Sequence, residues 1–140
     1  FGRIWASLYI EGNKTKNLVT SGPFSMVRNP LYFFSLIMLL GFSLALKAIY
    51  LPLALLLIFV IFHIPTIANE ERKLRKNHGD KFESYMKSTP RLIPNIFKYK
   101  RPETGEKVSV KISRINGVLI EVIGYLFLYT LIDIIYFILD

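Results

Sequence analysis

The chain contains no cysteine, and His63 and His78 are its only histidines. Without cysteine there can be no disulfide bond, no thiolate nucleophile and no cysteine-ligated zinc site. The two histidines lie far apart in the sequence and outside any metal-ligand spacing, which argues against a histidine-based metal site. The length of 140 residues is enough for one domain. Cysteine chemistry and a histidine-based metal site are therefore not expected.

Charge is missing from long stretches of the chain. Residues 31–46 and 48–68 contain no Lys, Arg, Asp or Glu, and residues 117–139 contain only Glu121 and Asp133. Hydrophobic residues make up 52% of the chain, and its mean hydropathy is +0.39. Apolar runs of about 20 residues match the hydrocarbon core of a bilayer, which is about 30 Å thick. We therefore predict an all-α, multi-pass transmembrane protein with three spans, of which the first two form a hairpin.

The net charge of +8 comes from basic residues that are concentrated in two segments. Of the 18 Lys and Arg residues, 13 lie between Arg72 and Arg114, and four precede Leu31. By the positive-inside rule, residues 1–30 and 68–116 face the cytoplasm. We expect these segments to contact anionic lipids and not nucleic acid, since no aromatic-and-basic surface motif accompanies them. The expected location is a bacterial inner membrane rather than the endoplasmic reticulum.

A polar, turn-forming stretch, residues 18–32, precedes the first apolar run. Pro30 suits the first turn of a helix, and Asn29 before it is a predicted N-cap. The free N–H groups of that first turn, with Arg28 beside them, suit a carboxylate or a phosphate. The alternative is that Asn29 and Pro30 only start a helix while Arg28 reaches lipid phosphates.

The acidic pair Glu70-Glu71 ends the second apolar run. The predicted hairpin returns this pair to the membrane face that carries Arg28. Glu70 shares a helical face with Leu74, and Glu71 is expected to pair with Arg75 one turn later. The alternative is a solvated pair that balances its basic neighbours.

The remaining sequence divides the chain into two predicted parts. Residues 1–94 form a core that contains the hairpin and cytoplasmic helices, with a helix break at Gly79. Residues 95–140 comprise a basic segment and the third span, and we expect residues 95–113 to be a loose loop without apolar periodicity. Glu121 lies on a face of the third span that is otherwise rich in small residues. It is predicted either to be structural or to line a substrate path.

Several motifs occur in a fixed order between Tyr9 and Pro94. They are Leu18-Val19-Thr20-Ser21-Gly22-Pro23-Phe24, Arg28-Asn29-Pro30-Leu31-Tyr32, Glu70-Glu71 with Leu74, His78-Gly79, Tyr85, and Pro90-Arg91-Leu92-Ile93-Pro94. Together these motifs resemble the isoprenylcysteine carboxyl methyltransferase family, which belongs with the membrane phospholipid methyltransferases. The resemblance implies S-adenosyl-L-methionine as methyl donor, bound at the cytoplasmic helix ends, and a lipophilic acceptor that enters from the bilayer.

The resemblance also implies a set of site residues. Arg28 and the following helix N-terminus suit the carboxylate of the cofactor, and Glu70, with Glu71 nearby, suits its ammonium. Tyr32 and Phe24 can offer an aromatic face to the sulfonium or the adenine. Arg28 and Glu70 are the implied catalytic residues, and the implied cofactor-binding residues are Lys16, Asn17, Leu18, Val19, Phe24, Arg28, Asn29, Pro30, Leu31, Tyr32, Glu70 and Glu71.

The sequence departs from the family pattern at two positions. Asn29 stands where the family usually has histidine, so this position cannot titrate near neutral pH. Thr66 stands where the eukaryotic carboxyl methyltransferases have an arginine that meets the substrate carboxylate. The acceptor is therefore left open among an isoprenylcysteine carboxylate, a phospholipid amine, a thiol and other small lipophiles.

Two other functions compete with a methyltransferase. A sterol-reductase-like enzyme has a related motif but uses NADPH, whose phosphates Glu70 and Glu71 would repel. A non-catalytic membrane scaffold would keep the same fold without binding a cofactor.

Overall fold

The computed structural model describes residues 1–11, 18–46, 50–102 and 112–139, and this part of the chain is helical. The prediction of an all-α fold is confirmed for these residues. Gly22 and Lys100 form an isolated antiparallel β-bridge. The elements are α1 (Gly2–Glu11), α2 (Pro23–Met26), α3 (Pro30–Ala45), α4 (Leu51–His78), α5 (Asp80–Ser88), a 3-10 turn (Ile96–Lys98) and α6 (Ile112–Leu139).

Helix α4 is the one helix in the described residues that is long and apolar enough to cross a membrane. It has 28 residues, and its most apolar window reaches a mean hydropathy of 2.4. The helix runs without interruption through Pro65 and ends at Gly79, which has a φ of +49°. Large apolar side chains such as Ile61 and Phe62 are exposed along it, as expected for a surface that faces lipid. Helix α3 is apolar but shorter, so three spans stay a prediction.

Helices α3 and α4 pack against each other as an antiparallel hairpin. Their contact buries Phe59 and Ile67 of α4, along with Pro30 and Ser43 of α3. Helix α1 packs on α3 and also touches α2 and α6. The hairpin brings the first turn of α3 to the end of the apolar part of α4, where both predicted polar clusters lie.

Residues 90–100, which we call the clamp segment, fasten the loop before α3. The backbone N–H of Gly22 donates to the carbonyl of Lys100 over 2.8 Å, and the N–H of Arg28 donates to the carbonyl of Pro90 over 2.8 Å. The prediction of a loose loop from residue 95 onward is therefore wrong at its beginning, because these long-range backbone bonds order the segment. Residues 103–111 of that predicted loop lie outside the described residues.

A second set of contacts supports the same loop from the side of α5. The hydroxyl of Tyr85 donates to the carbonyl of Phe24 over 2.7 Å, and the pair is buried. The N–H of Asn95 donates to the carbonyl of Met26 over 2.9 Å. Gly22 has a φ of +58°, and a side chain there would overlap the ring of Tyr9. The loop is thus held in one conformation from three sides.

Candidate active site

A cavity of about 280 Å³ lies where the first turn of α3 meets the C-terminal part of α4, α5 and the loop before α3. Ten of the twelve predicted site residues line it. The two others, Lys16 and Asn17, lie outside the described residues. The ten are Leu18, Val19, Phe24, Arg28, Asn29, Pro30, Leu31, Tyr32, Glu70 and Glu71.

Glu71 is the centre of the polar network at this cavity. Its carboxylate lies 3.2 Å from Nη1 of Arg28 and 3.1 Å from Nη2 of Arg91, and its side chain is 14% exposed. One carboxylate thus contacts two guanidinium groups in a partly dry site, where its removal would leave two charges without a partner. The expected pairing of Glu71 with Arg75 is wrong, since Arg75 pairs with Glu83 of α5 over 2.7 Å.

Asn29 does not act as the predicted side-chain N-cap of α3. Its Nδ2 group instead donates to Glu71 over 3.2 Å and to the carbonyl of Arg91 over 3.0 Å. Its backbone carbonyl still accepts the N–H of Phe33, as a residue before a helix does. The Asn29 side chain thus links α3, α4 and the clamp segment, and it does not cap the first backbone N–H groups of α3.

Glu70 has a different environment from its neighbour. Among the described residues its carboxylate accepts one hydrogen bond, from the hydroxyl of Tyr32 over 3.1 Å. No arginine or lysine of the described chain forms an ion pair with it. Glu70 therefore keeps acceptor capacity directed at the cavity, whereas the carboxylate of Glu71 is occupied.

Groups of both charges line the cavity. Arg28 lines it, and Arg91 lies behind Glu71, so two guanidinium groups share the single carboxylate of Glu71. The Nε atoms of both arginines are buried without a hydrogen-bond partner in the described residues. The N-terminus of α3 adds partial positive charge. Glu70 is negative, so the cavity suits a ligand that carries both a carboxylate and an ammonium.

Six residues that line the cavity were not predicted as site residues, although motifs or helical periodicity pointed to several. Leu74 and Asn77 follow Glu70 at intervals that return to the same face of α4. Tyr85 comes from α5, and its burial raises the pKa of its phenol, with a smaller opposing effect of Arg28 and a raising effect of Glu71. The six are Ile10, Leu74, Asn77, His78, Phe82 and Tyr85.

Thr66 does not line this cavity. Its hydroxyl donates to the carbonyl of Phe62, one turn earlier in α4, over 2.9 Å. The position that carries a substrate-binding arginine in eukaryotic carboxyl methyltransferases thus contributes no charge here.

A family profile described as phospholipid methyltransferase matches residues 3–81. The chain belongs to the phospholipid methyltransferase family. The match covers α1 to the start of α5 and includes most of the cavity, which confirms the resemblance drawn from the motifs. Arg91 and the clamp segment lie beyond it.

Two curated bacterial relatives match 103 residues, or 74% of the chain. The nickel-cobalt-cadmium resistance protein NccN of Alcaligenes xylosoxydans xylosoxydans is 34% identical, and the match covers 48% of its length. The cobalt-zinc-cadmium resistance protein CzcN of Cupriavidus metallidurans is 35% identical, with 47% of its length covered. The chain thus spans about half the length of these relatives. No solved structure matches it significantly.

The names of these relatives refer to metal resistance. Among the described residues of this chain, no group of three or more His, Asp or Glu side chains is placed to hold a metal ion.

Proposed function

We propose that the chain is the core of a membrane-bound methyltransferase that uses S-adenosyl-L-methionine and acts on a lipophilic acceptor. The observation that carries this proposal is that one cavity is lined both by Arg28 with the start of α3 and by Glu70, whose carboxylate has no cationic partner among the described residues. Family membership gives the reaction class, and the geometry supports the cofactor.

The donor groups of the cavity fit the cofactor's amino-acid end. The buried Nε of Arg28 has no partner in the described residues and can donate to a carboxylate. The uncapped first turn of α3 supplies further N–H donors. Glu70, with Tyr32 bonded to it, can accept from an ammonium. Glu71 is a positioning residue that orients Arg28.

The apolar and aromatic walls fit the rest of the cofactor. Phe24, Phe82 and Tyr32 line the cavity together with Leu18 and Val19. Aromatic faces attract cationic groups and stack on planar rings. When bound, S-adenosyl-L-methionine supplies an activated methyl group, and the work of the chain is to orient it and exclude water.

The site would lie at the membrane surface. Exposed apolar side chains surround the membrane-facing part of α4, and the basic residues of its last turns mark a cytoplasmic end. We propose that α3 and α6 also cross the bilayer, which would give a multi-pass protein whose cofactor cavity opens toward the cytoplasm.

Calorimetry on the full-length protein in lipid nanodiscs tests this proposal. We expect S-adenosylhomocysteine to bind wild-type protein, and Glu70→Gln to weaken binding about 10-fold or more, as loss of a charge-assisted contact does. Glu83→Gln is the matched control, because Glu83 pairs with Arg75 away from the cavity. Binding of NADPH in place of S-adenosylhomocysteine would contradict the proposal, and binding of neither would favour a scaffold.

A further inference from the structure

A second cavity, of about 520 Å³, lies between α1, α3, α4 and α6 on the membrane side of the first. The two cavities share four lining residues, Ile10, Leu31, Tyr32 and Glu70, so they meet at one wall. The remaining wall combines an apolar part, formed by Met38, Leu39 and Phe59, with a polar part that includes Arg3, His63 and Glu121. A hydrophobic molecule in this space would reach the cofactor cavity at Tyr32.

His63 lines the second cavity in a fixed orientation. Its ring stacks on Phe59, with centroids 4.1 Å apart and planes 9° from parallel. The edge of Tyr32 meets it at 5.5 Å. Nδ1 lies 3.1 Å from the carbonyl oxygen of Phe59. The tautomer with its hydrogen on Nδ1 can donate to this carbonyl, and that tautomer leaves the lone pair of the ring on Nε2.

The other ionisable groups on this cavity have partners. Arg3 of α1 forms an ion pair with Glu121 of α6. Tyr32 of α3 donates to Glu70 of α4. Tyr125 of α6 packs edge-on against Phe42 of α3, with centroids 5.4 Å apart. Glu70 keeps spare acceptor capacity, which the ammonium of the proposed cofactor would take up, so Nε2 of His63 is the remaining acceptor among the described residues on this cavity.

We propose that the second cavity binds the methyl acceptor, that this acceptor is a lipophilic thiol, and that Nε2 of His63 takes the thiol proton. This inference rests on the proposed methyltransferase function. In the reaction, the proton passes to Nε2 as the sulfur's electron pair forms the bond to the methyl carbon. The bond from that carbon to the cofactor's sulfonium breaks, and its electron pair remains on the cofactor's sulfur.

The charges of the cavity favour a thiol over the other acceptors. A carboxylate needs no base and would be repelled by Glu70. Arg3, which lines the cavity, is already paired with Glu121, and the family's substrate-binding arginine is replaced by Thr66. An alkyl ammonium has a pKa near that of lysine, about 10.4, about four units above a histidine's 6.5. A thiol at about 8.5 lies within about two units of histidine, which permits general-base catalysis.

The test combines binding and turnover in the full-length protein in nanodiscs, with decanethiol, decylamine and decanoate as acceptors. Nitrogen NMR of protein labelled at its histidines reports on binding without turnover. We expect the ring signals of His63 to shift when decanethiol is added together with S-adenosylhomocysteine. These signals are assigned to His63 because they are missing from the spectrum of His63→Asn. We expect decanethiol to be methylated in preference to the amine and the carboxylate.

His63→Asn should keep the wild-type affinity for S-adenosylhomocysteine within about two-fold and lower kcat for decanethiol by about 10²–10⁴-fold. If His63→Asn does not fold, His63→Gln replaces it in the same measurements. Thr66→Ser is the control, because Thr66 is on the same helix but lines neither cavity. Unchanged kcat in His63→Asn, or preference for decylamine or decanoate, would overturn the inference alone. Failure of wild-type protein to bind S-adenosylhomocysteine would instead overturn the proposed function.

Discussion

Arg28 and Glu71 form an ion pair over 3.2 Å in which each side chain is 14% exposed. This contact joins the two polar clusters that border the apolar helices of the hairpin. Glu71 also holds Arg91 of the clamp segment. A single carboxylate therefore fixes the arginine of the family motif and ties three parts of the chain together.

Glu71→Ala should destabilise the protein more than any substitution at an exposed ion pair. It leaves Arg28 and Arg91 without their carboxylate, and breaking a buried pair costs about 3–5 kcal/mol. Glu83→Ala, which breaks an exposed pair with Arg75, should cost about 0–1 kcal/mol. Thermal unfolding of both variants in the same detergent gives the comparison. Equal losses of stability would show that Glu71 does not hold the site together.

Asn29→Asp should weaken both the fold and the binding of S-adenosylhomocysteine. The substitution removes two donated hydrogen bonds and sets a carboxylate beside Glu71 and the carbonyl of Arg91. Asn29→His, which restores the usual family residue, keeps a donor at this position and should be milder. Unfolding temperature and ligand affinity are measured for both. If Asn29→Asp is as stable as the wild type, the bridging role of Asn29 is wrong.

Gly22 and Gly79 offer a matched pair, because both have a positive φ. An alanine at either position is strained by about 1–2 kcal/mol. At Gly22 the new methyl group would also overlap the ring of Tyr9, whereas it would meet open space at Gly79. Gly22→Ala should therefore be the more destabilising variant and should weaken ligand binding as well. Equal effects of the two variants on unfolding would contradict the close packing of Tyr9 on this loop.

Tyr85→Phe should remove a buried hydrogen bond to the carbonyl of Phe24 and cost about 1–3 kcal/mol. Burial raises the folded-state pKa of Tyr85 above its unfolded value of about 10. The stabilisation is then complete below about pH 10 and declines as the pH rises further. Unfolding at pH 8 and pH 11 should show a larger loss for wild type than for Tyr85→Phe. A pH dependence that is the same in both proteins would exclude Tyr85 as its source.

Ten of the sixteen residues that line the first cavity were predicted from the sequence. A short hairpin connection brings Glu70 to the same cavity as Arg28, and motif spacing identifies the loop around Phe24. The contacts that the sequence did not predict join residues that are distant in the chain. Glu71 was assigned to Arg75 by local spacing, worth about 0.3–0.5 kcal/mol on a helix, but it pairs with two arginines in a drier site.

The order of residues 95–100 of the clamp segment was not predicted, for a related reason. Its order comes from backbone bonds to the loop before α3, such as that between Asn95 and Met26, and not from apolar periodicity of its own. Asn29 likewise has the residue type and position of an N-cap, yet its side chain turns to Glu71. Local propensity was overridden there by a tertiary contact.

The most direct test of the account is whether Glu70 binds the ammonium of the cofactor. S-Adenosylhomocysteine and its analogue without the amino group are titrated into wild-type protein, Glu70→Gln and Glu83→Gln. We predict that wild type and Glu83→Gln prefer the amino-bearing ligand by about 10-fold or more, equivalent to about 1.4 kcal/mol. Glu70→Gln should lose that preference. An unchanged preference in Glu70→Gln would contradict the assignment of this cavity as the cofactor site.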